Sequence, residues 1–133
     1  MIDKKLTEIE NKIIEIREQK VILDSDVAKL YDVETKEINQ AVSNNPEKFP
    51  EGYLFEITKN ELDILRSKFL TAKFSKTRVL PKAFTEKGLY MLATILKSPK
   101  ATQTTIYIIE TFDKLFKERF MNTGISQDLF FTS

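Results

Sequence analysis

Apolar residues recur along this chain in two rhythms, and the rhythms mark out its elements. Residues 3–13 carry Leu6, Ile9 and Ile13 at steps of three and four, a helical spacing. Such a short run reads either as a coiled-coil arm for dimerisation or as an amphipathic turn packed on its own domain or frayed, and the second reading is the simpler. Residues 13–23 alternate instead: Ile14 and Ile16 against Glu15 and Arg17, a polar break at Glu18–Gln19, then Lys20–Leu23. The concentration of Ile and Val favours a β-hairpin over an extension of the first helix.

The helical rhythm returns in residues 24–44, DSDVAKLYDVETKEINQAVSN, as two short helices separated by a turn. Val27, Ala28 and Tyr31 form the apolar side of a helix over 25–31, with Asp24 as its N-cap. Asp32 falls where the chain needs a left-handed residue, and Val33 plugs the corner. A second helix, 35–44, turns Ile38, Ala41 and Val42 inward. Its other face carries Thr35, Lys36, Asn39, Gln40 and Ser43 on one exposed strip. Two helices joined in this way read as a helix-turn-helix, whose second helix enters the major groove in DNA-binding proteins.

Beyond Pro46 the chain loops to Gly52, with Phe49 as its anchor in the core. Tyr53–Thr58 reads as a strand, and Thr58 with Glu61 forms a capping box opening a helix to Phe69, with Leu62, Leu65 and Phe69 inward. Residues 71–77 are a basic loop. Arg78–Phe84 is a second strand, placed at an edge because Pro81 cannot donate to a ladder, and paired with Tyr53–Thr58. Thr85 caps a helix bearing Leu89, Leu92, Ile95 and Leu96, and Pro99 starts the longest helix. That helix shows Ala101, Thr105, Ile108, Phe112 and Leu115 in one row and Ile109, Phe116 and Phe120 in another. A stripe this wide admits a homodimer contact through 99–120 or burial against the preceding helix. The predicted fold is α+β, mostly helical, with a helix-turn-helix, two small pairs of strands and a long C-terminal helix. Its parts are an arm (1–12), a domain (13–120) and a tail (121–133).

Composition narrows the chemistry. The chain has no cysteine and no histidine, which removes thiolate zinc sites and the commonest general acid–base group. No nucleophile–base pair, phosphate loop or metal-ligand spacing is visible, so the expectation is a non-enzyme without cofactor or metal. No apolar run approaches the roughly 20 residues of a membrane span, and no secretory pattern opens the chain, which implies a cytoplasmic protein.

A net charge of +1 conceals a strong asymmetry. Residues 1–58 hold 8 Lys/Arg against 13 Asp/Glu, residues 59–100 hold 10 against 3, and residues 101–133 hold 3 against 4. Within 66–82 there are six basic residues and no acid, a natural place for phosphate contacts.

The run from IREQKVILDSDVAKLYDVETKEINQAVSNNPEKFPEGYLFEIT through RVLPKAFTEKGLYMLATILKSPKA resembles the ORF-six-N domain, a phage-encoded module related to the KilA-N and Bro-N domains. The resemblance covers about residues 13–118. It rests on Leu23–Asp24 with Leu30–Tyr31, Phe49–Pro50, Phe55–Glu56, and Ala83–Phe84–Thr85–Glu86 with Gly88. The chain departs from the pattern at Glu18 and Asp32, where relatives commonly have glycine. The resemblance implies a DNA-binding, transcription-regulating domain of phage or prophage origin, often N-terminal in larger antirepressor-like proteins. The chain then reads as a short member or a fragment.

Double-stranded DNA is thus the first expected partner. Asn39 and Gln40 are the sharpest candidate base readers, because an amide can donate and accept at once, matching adenine N6 and N7. Thr35 and Lys36 would reach a phosphate or a first base, and Ser43 would lie near the far strand. Lys68, Lys73, Lys76, Arg78 and Lys82 would neutralise phosphates. The bland alternatives are a solvated polar face and a solvated charge run. Phe69 reads as core, while Phe74 is open to either core or base stacking. Against DNA stand five acids in 24–44 (Asp24, Asp26, Asp32, Glu34, Glu37), of which Glu34 and Glu37 flank the reading face. The alternative function is a protein-interaction (antirepressor) module that binds a repressor without touching DNA.

Overall fold

The computed structural model describes residues 2–69 and 79–122. Helix α1 (Ile2–Glu10) leads into strands β1 (Ile13–Ile16) and β2 (Gln19–Leu23). Helices α2 (Asp24–Tyr31) and α3 (Thr35–Ser43) follow, then a 3-10 turn (Pro46–Lys48) and β3 (Leu54–Glu56). Helix α4 (Lys59–Phe69), strand β4 (Lys82–Phe84), helix α5 (Glu86–Leu96) and the long helix α6 (Pro99–Asn122) complete the described chain. The architecture is α+β and mostly helical, as the pattern predicts.

The strands differ from prediction in their pairing. In place of two separate pairs there is one four-stranded antiparallel sheet, ordered β1-β2-β4-β3. Strand β4 joins the halves: Ile22 and Leu23 lie opposite Phe84 and Ala83, and Leu54, Phe55 and Glu56 lie opposite Phe84, Ala83 and Lys82. It is therefore central, not the edge strand that Pro81 suggested. The proline precedes the strand, so no ladder bond needs its missing N–H, and its carbonyl accepts from Ile57 N at 3.0 Å.

Alternation along the strands fills both faces of this sheet. Ile16, Val21, Leu23 and Ala83 pack with Ile57, Leu62 and Leu65, so α4 covers one face. Ile22 and Phe84 belong to the larger cluster on the other, with Ile9 of α1, Val27, Ala28, Leu30 and Tyr31 of α2, Ile38 of α3, Leu89 and Leu92 of α5, and Ala101, Ile108 and Phe112 of α6. Phe49 anchors its loop there, edge-on to Phe84 at 6.4 Å between centroids. Ile9 is fully buried and α1 packs along α6, so the N-terminal helix is part of the domain.

Local signals explain the joints. Strands β1 and β2 are joined by Arg17–Glu18, one residue earlier than predicted, with both residues left-handed (φ 55° and 62°), the geometry of a type I′ hairpin. Asp32 closes α2 in the left-handed region (φ 60°, ψ 45°). Its N–H bonds Lys29 O at 3.3 Å and the Val33 N–H bonds Ala28 O at 3.0 Å, the paired bonds of a Schellman stop. The two positions where glycine was expected thus both have positive φ. Asp24 is the first residue of α2 rather than its cap. Its carboxylate accepts from Ser25 N at 2.8 Å and Lys82 N at 3.3 Å, tying α2 to β4. Thr58 and Glu61 form the expected capping box, with bonds of 2.7 and 3.1 Å.

At α5 the capping residue also locks the preceding loop. Thr85 Oγ1 accepts from Gly88 N at 3.3 Å and lies 2.8 and 2.9 Å from the carbonyl oxygens of Gly52 and Tyr53. Gly88 sits so close to the Tyr53 carbonyl that a Cβ there would collide with it. In α6 the row Ala101, Thr105, Ile108 and Phe112 is buried within the chain, while Ile106 and Phe116 are exposed.

Candidate nucleic-acid interface

Three residues, Asp32 to Glu34, separate α2 from α3, and the left-handed stop fixes how the second helix leaves the first. Ile38 is fully buried, and Ala41, Val42 and Val33 pack against the same cluster, so one side of α3 is committed to the core. That commitment turns the predicted strip outward. Lys36, Gln40 and Ser43 are exposed, with Asn44 beyond them, while Thr35 and Asn39 are half-buried.

Asn39 needs a finer description. Its Oδ1 is buried and has no hydrogen-bond partner among the described residues. A bidentate contact with adenine needs acceptor and donor presented together. In this rotamer Asn39 withholds its acceptor, which leaves Gln40 as the amide on α3 with both groups in reach of a ligand.

The charges around α3 are mixed. Glu34 and Glu37 are exposed beside the strip, as the sequence warned. Lys100, from the first turn of α6, meets Asp32 at 2.9 Å and holds its carboxyl below the usual range. Sequence reasoning did not single out Lys100, although it lies in the basic 59–100 block. The same end of α6 braces α2 from below: Tyr31 Oη and Thr105 Oγ1 share a buried bond of 2.7 Å, and Thr104 Oγ1 donates to Leu30 O at 3.5 Å.

The expected phosphate contacts are dispersed. Lys68 is exposed on α4, on the sheet face opposite the cluster that holds α3, so the structure does not bring it together with the strip. Lys82 is half-buried in the central strand, directly opposite Glu56. Lys73, Phe74, Lys76 and Arg78 lie outside the described residues, as does the 71–77 loop; so do the side chains of Phe69 and Phe120 and the tail from residue 123.

Another basic residue has a structural post. Arg17, at the hairpin tip, grips Glu61 through Nε at 2.8 Å and Nη2 at 3.0 Å. Its guanidinium also lies 4.1 Å from the centroid of the Phe55 ring. The hydrogen bond from Arg17 is the main reason that the Glu61 carboxyl is depressed to about 2. Among the described residues no group of three or more acids could hold a metal ion, and no helix is long and apolar enough to cross a membrane.

No curated protein and no solved structure matches the chain. The sequence model of the ORF6N domain matches residues 11–95, a span running from just before β1 to the last turn of α5. It ends short of α6, although that helix fills the same core. The blocks that carried the resemblance all fall inside the match, and the structure gives several of them physical work: Asp24 ties α2 to β4, Phe84 centres the core, and Thr85 with Gly88 locks α5 to the loop before β3. With more than half of its length inside the match, the chain belongs to the ORF6N domain family.

Proposed function

We propose that this chain is a phage- or prophage-type regulatory domain that binds double-stranded DNA in the cytoplasm, using α2 and α3 as a helix-turn-helix with α3 in the major groove. The observation that carries this reading is the division of α3 itself: Ile38, Ala41 and Val42 face the core, while Lys36, Gln40 and Ser43 stand exposed. Gln40 would read a base bidentately, Lys36 and Thr35 would meet a phosphate or first base at the helix start, and Asn39 would contribute chiefly a donor. Of the basic 66–82 segment, Lys73, Lys76 and Arg78 would contact phosphates, since Lys68 lies on the other face of the sheet. In this reading the chain has no catalytic role and needs no cofactor.

The test is a titration against random-sequence duplex DNA at low and physiological salt, beside a Lys73/Lys76/Arg78→Ala variant. Removing one phosphate-binding side chain should flatten the log–log salt slope by about 0.9. Gln40→Ala should then narrow the difference between a selected site and random DNA, and Asn39→Ala should do so less. Absence of binding even at low salt sinks the proposal.

Glu34 and Glu37, exposed beside the strip, favour a second reading: an antirepressor-type module whose α3 face binds a repressor protein. Such a module should show no salt-dependent duplex binding.

A further inference from the structure

The sheet has two edges, and β1 forms one of them. Its two-residue turn is closed by Ile16 opposite Gln19, and the register continues through Glu15–Lys20, Ile14–Val21 and Ile13–Ile22. In a type I′ hairpin the closing pair exchanges both backbone bonds, and bonded pairs alternate with unbonded ones. Ile16 and Ile14 therefore spend their N–H and C=O groups on β2. Those of Glu15 and Ile13 point away from the sheet, and among the described residues no strand pairs with them.

Beside this edge lies α4. A cleft of about 360 Å³ runs between the two, lined by Glu15, Ile16, Arg17, Glu61, Leu65 and Lys68, with Ile64 at its lip. Ile64 is 62% exposed, a large aliphatic side chain standing among the polar and charged residues of the outer face of α4. Between Asn60 and Lys68 the helix carries its acids first, Glu61 and Asp63, and its bases last, Arg66 and Lys68.

We propose that the outer edge of β1, with the adjoining face of α4, is a dimerisation surface that takes the same surface of a second copy of this chain. Antiparallel pairing about a two-fold axis at Ile14 sets Ile13 of each copy opposite Glu15 of the other. These are the residues whose backbone groups point outward, and the match is mutual. The axis stands perpendicular to the sheet, so both α4 helices fall on one side of the joined eight strands and run antiparallel. Ile64 of each copy is then covered by the other, and the acid-first, base-last order places Asp63 near Lys68 of the second copy. An unrelated peptide could use the backbone edge, but the reversal of charge along α4 fits a copy of α4 itself. This surface is separate from α3 and from the apolar row of α6, and the proposal stands whether or not the chain binds DNA.

Sedimentation equilibrium of the full chain, from micromolar to submillimolar concentration, should show a monomer–dimer equilibrium. Ile64→Glu, at an exposed position, should leave the circular dichroism spectrum intact and weaken the dimer by about tenfold or more. Asp63→Lys and Lys68→Asp should each weaken it, and the double exchange in one chain should restore it, which a change in helix stability would not do. Hydrogen exchange reports on the edge without a variant: the Glu15 amide should become protected as concentration rises. A chain that stays monomeric throughout overturns the proposal. So does a dimer indifferent to Ile64→Glu, which would point to α6, or one in which the Glu15 amide exchanges as freely as in the monomer.

Discussion

Replacing Gly88 with alanine sets one methyl group against the backbone of the loop before β3. The added carbon would fall inside contact distance of the Tyr53 carbonyl oxygen, 3.0 Å from its carbon and 3.4 Å from Phe84 Cδ2. Neither neighbour can yield cheaply. The Tyr53 oxygen accepts from Thr85 N at 3.1 Å and lies 2.9 Å from Thr85 Oγ1, while Tyr53 N donates to Pro50 O at 3.1 Å. Phe84 is fully buried at the centre of the core. The methyl group must therefore shift the first turn of α5 or break the loop's bonds to Thr85. Overpacking of this kind costs about 1–3 kcal/mol, and a broken hydrogen bond about 1 kcal/mol more. Helix propensity acts in the opposite direction, favouring alanine over glycine by about 1 kcal/mol. The net is a destabilisation of about 1–3 kcal/mol, a sizeable part of a typical domain's margin of roughly 5–15 kcal/mol. For a chain of this size it should lower Tm by about 4–11 °C. Urea unfolding followed by circular dichroism measures the difference. Because propensity and packing predict opposite signs, a variant as stable as the wild type, or more stable, would refute the close approach of α5 to Tyr53.

Three further outcomes follow from the joints. Glu61 is depressed to about 2 from an ordinary 4.5, chiefly by the hydrogen bond from Arg17. Its carboxylate therefore contributes stability that is fully present above the ordinary carboxylate range and is lost as pH falls from about 4.5 towards 2. Glu61→Gln, which can still accept from Thr58 N, should be less stable than wild type at pH 7 and converge with it near pH 2 in denaturant titrations. Glu18→Gly should stabilise the hairpin by about 1 kcal/mol, since Glu18 sits at φ 62° with a Cβ that disfavours it; an unchanged or lower midpoint in urea would count against the type I′ turn. Tyr31→Phe removes the buried bond to Thr105 and should cost about 1 kcal/mol at equilibrium, whereas no loss would mean that the hydroxyl is not held at 2.7 Å.

The sequence by itself determined most of what is local. The helical rhythms of 24–44 and 99–120, the capping box at Thr58, the cap at Thr85, the start at Pro99 and the left-handed Asp32 were all legible, because each signal acts over a single turn or a few neighbouring residues. The exposed strip on α3 was legible for the same reason: once Ile38, Ala41 and Val42 face inward, Lys36, Gln40 and Ser43 face out. Only the tertiary structure decided that β2 pairs with β4, some sixty residues later, and so fuses two expected pairs of strands into one sheet. Pro81 misled because its missing N–H matters only inside a ladder, and the strand starts after it. Tertiary packing also gave Arg17 its partner in Glu61, put Gly88 against Tyr53, turned the Asn39 acceptor inward, and set the sheet between α4 and α3. None of these has a local signature. A strand's alternation states that it has two faces and an edge, but which helix covers each face, and which strand takes each edge, depends on how the whole set of apolar surfaces is buried at once.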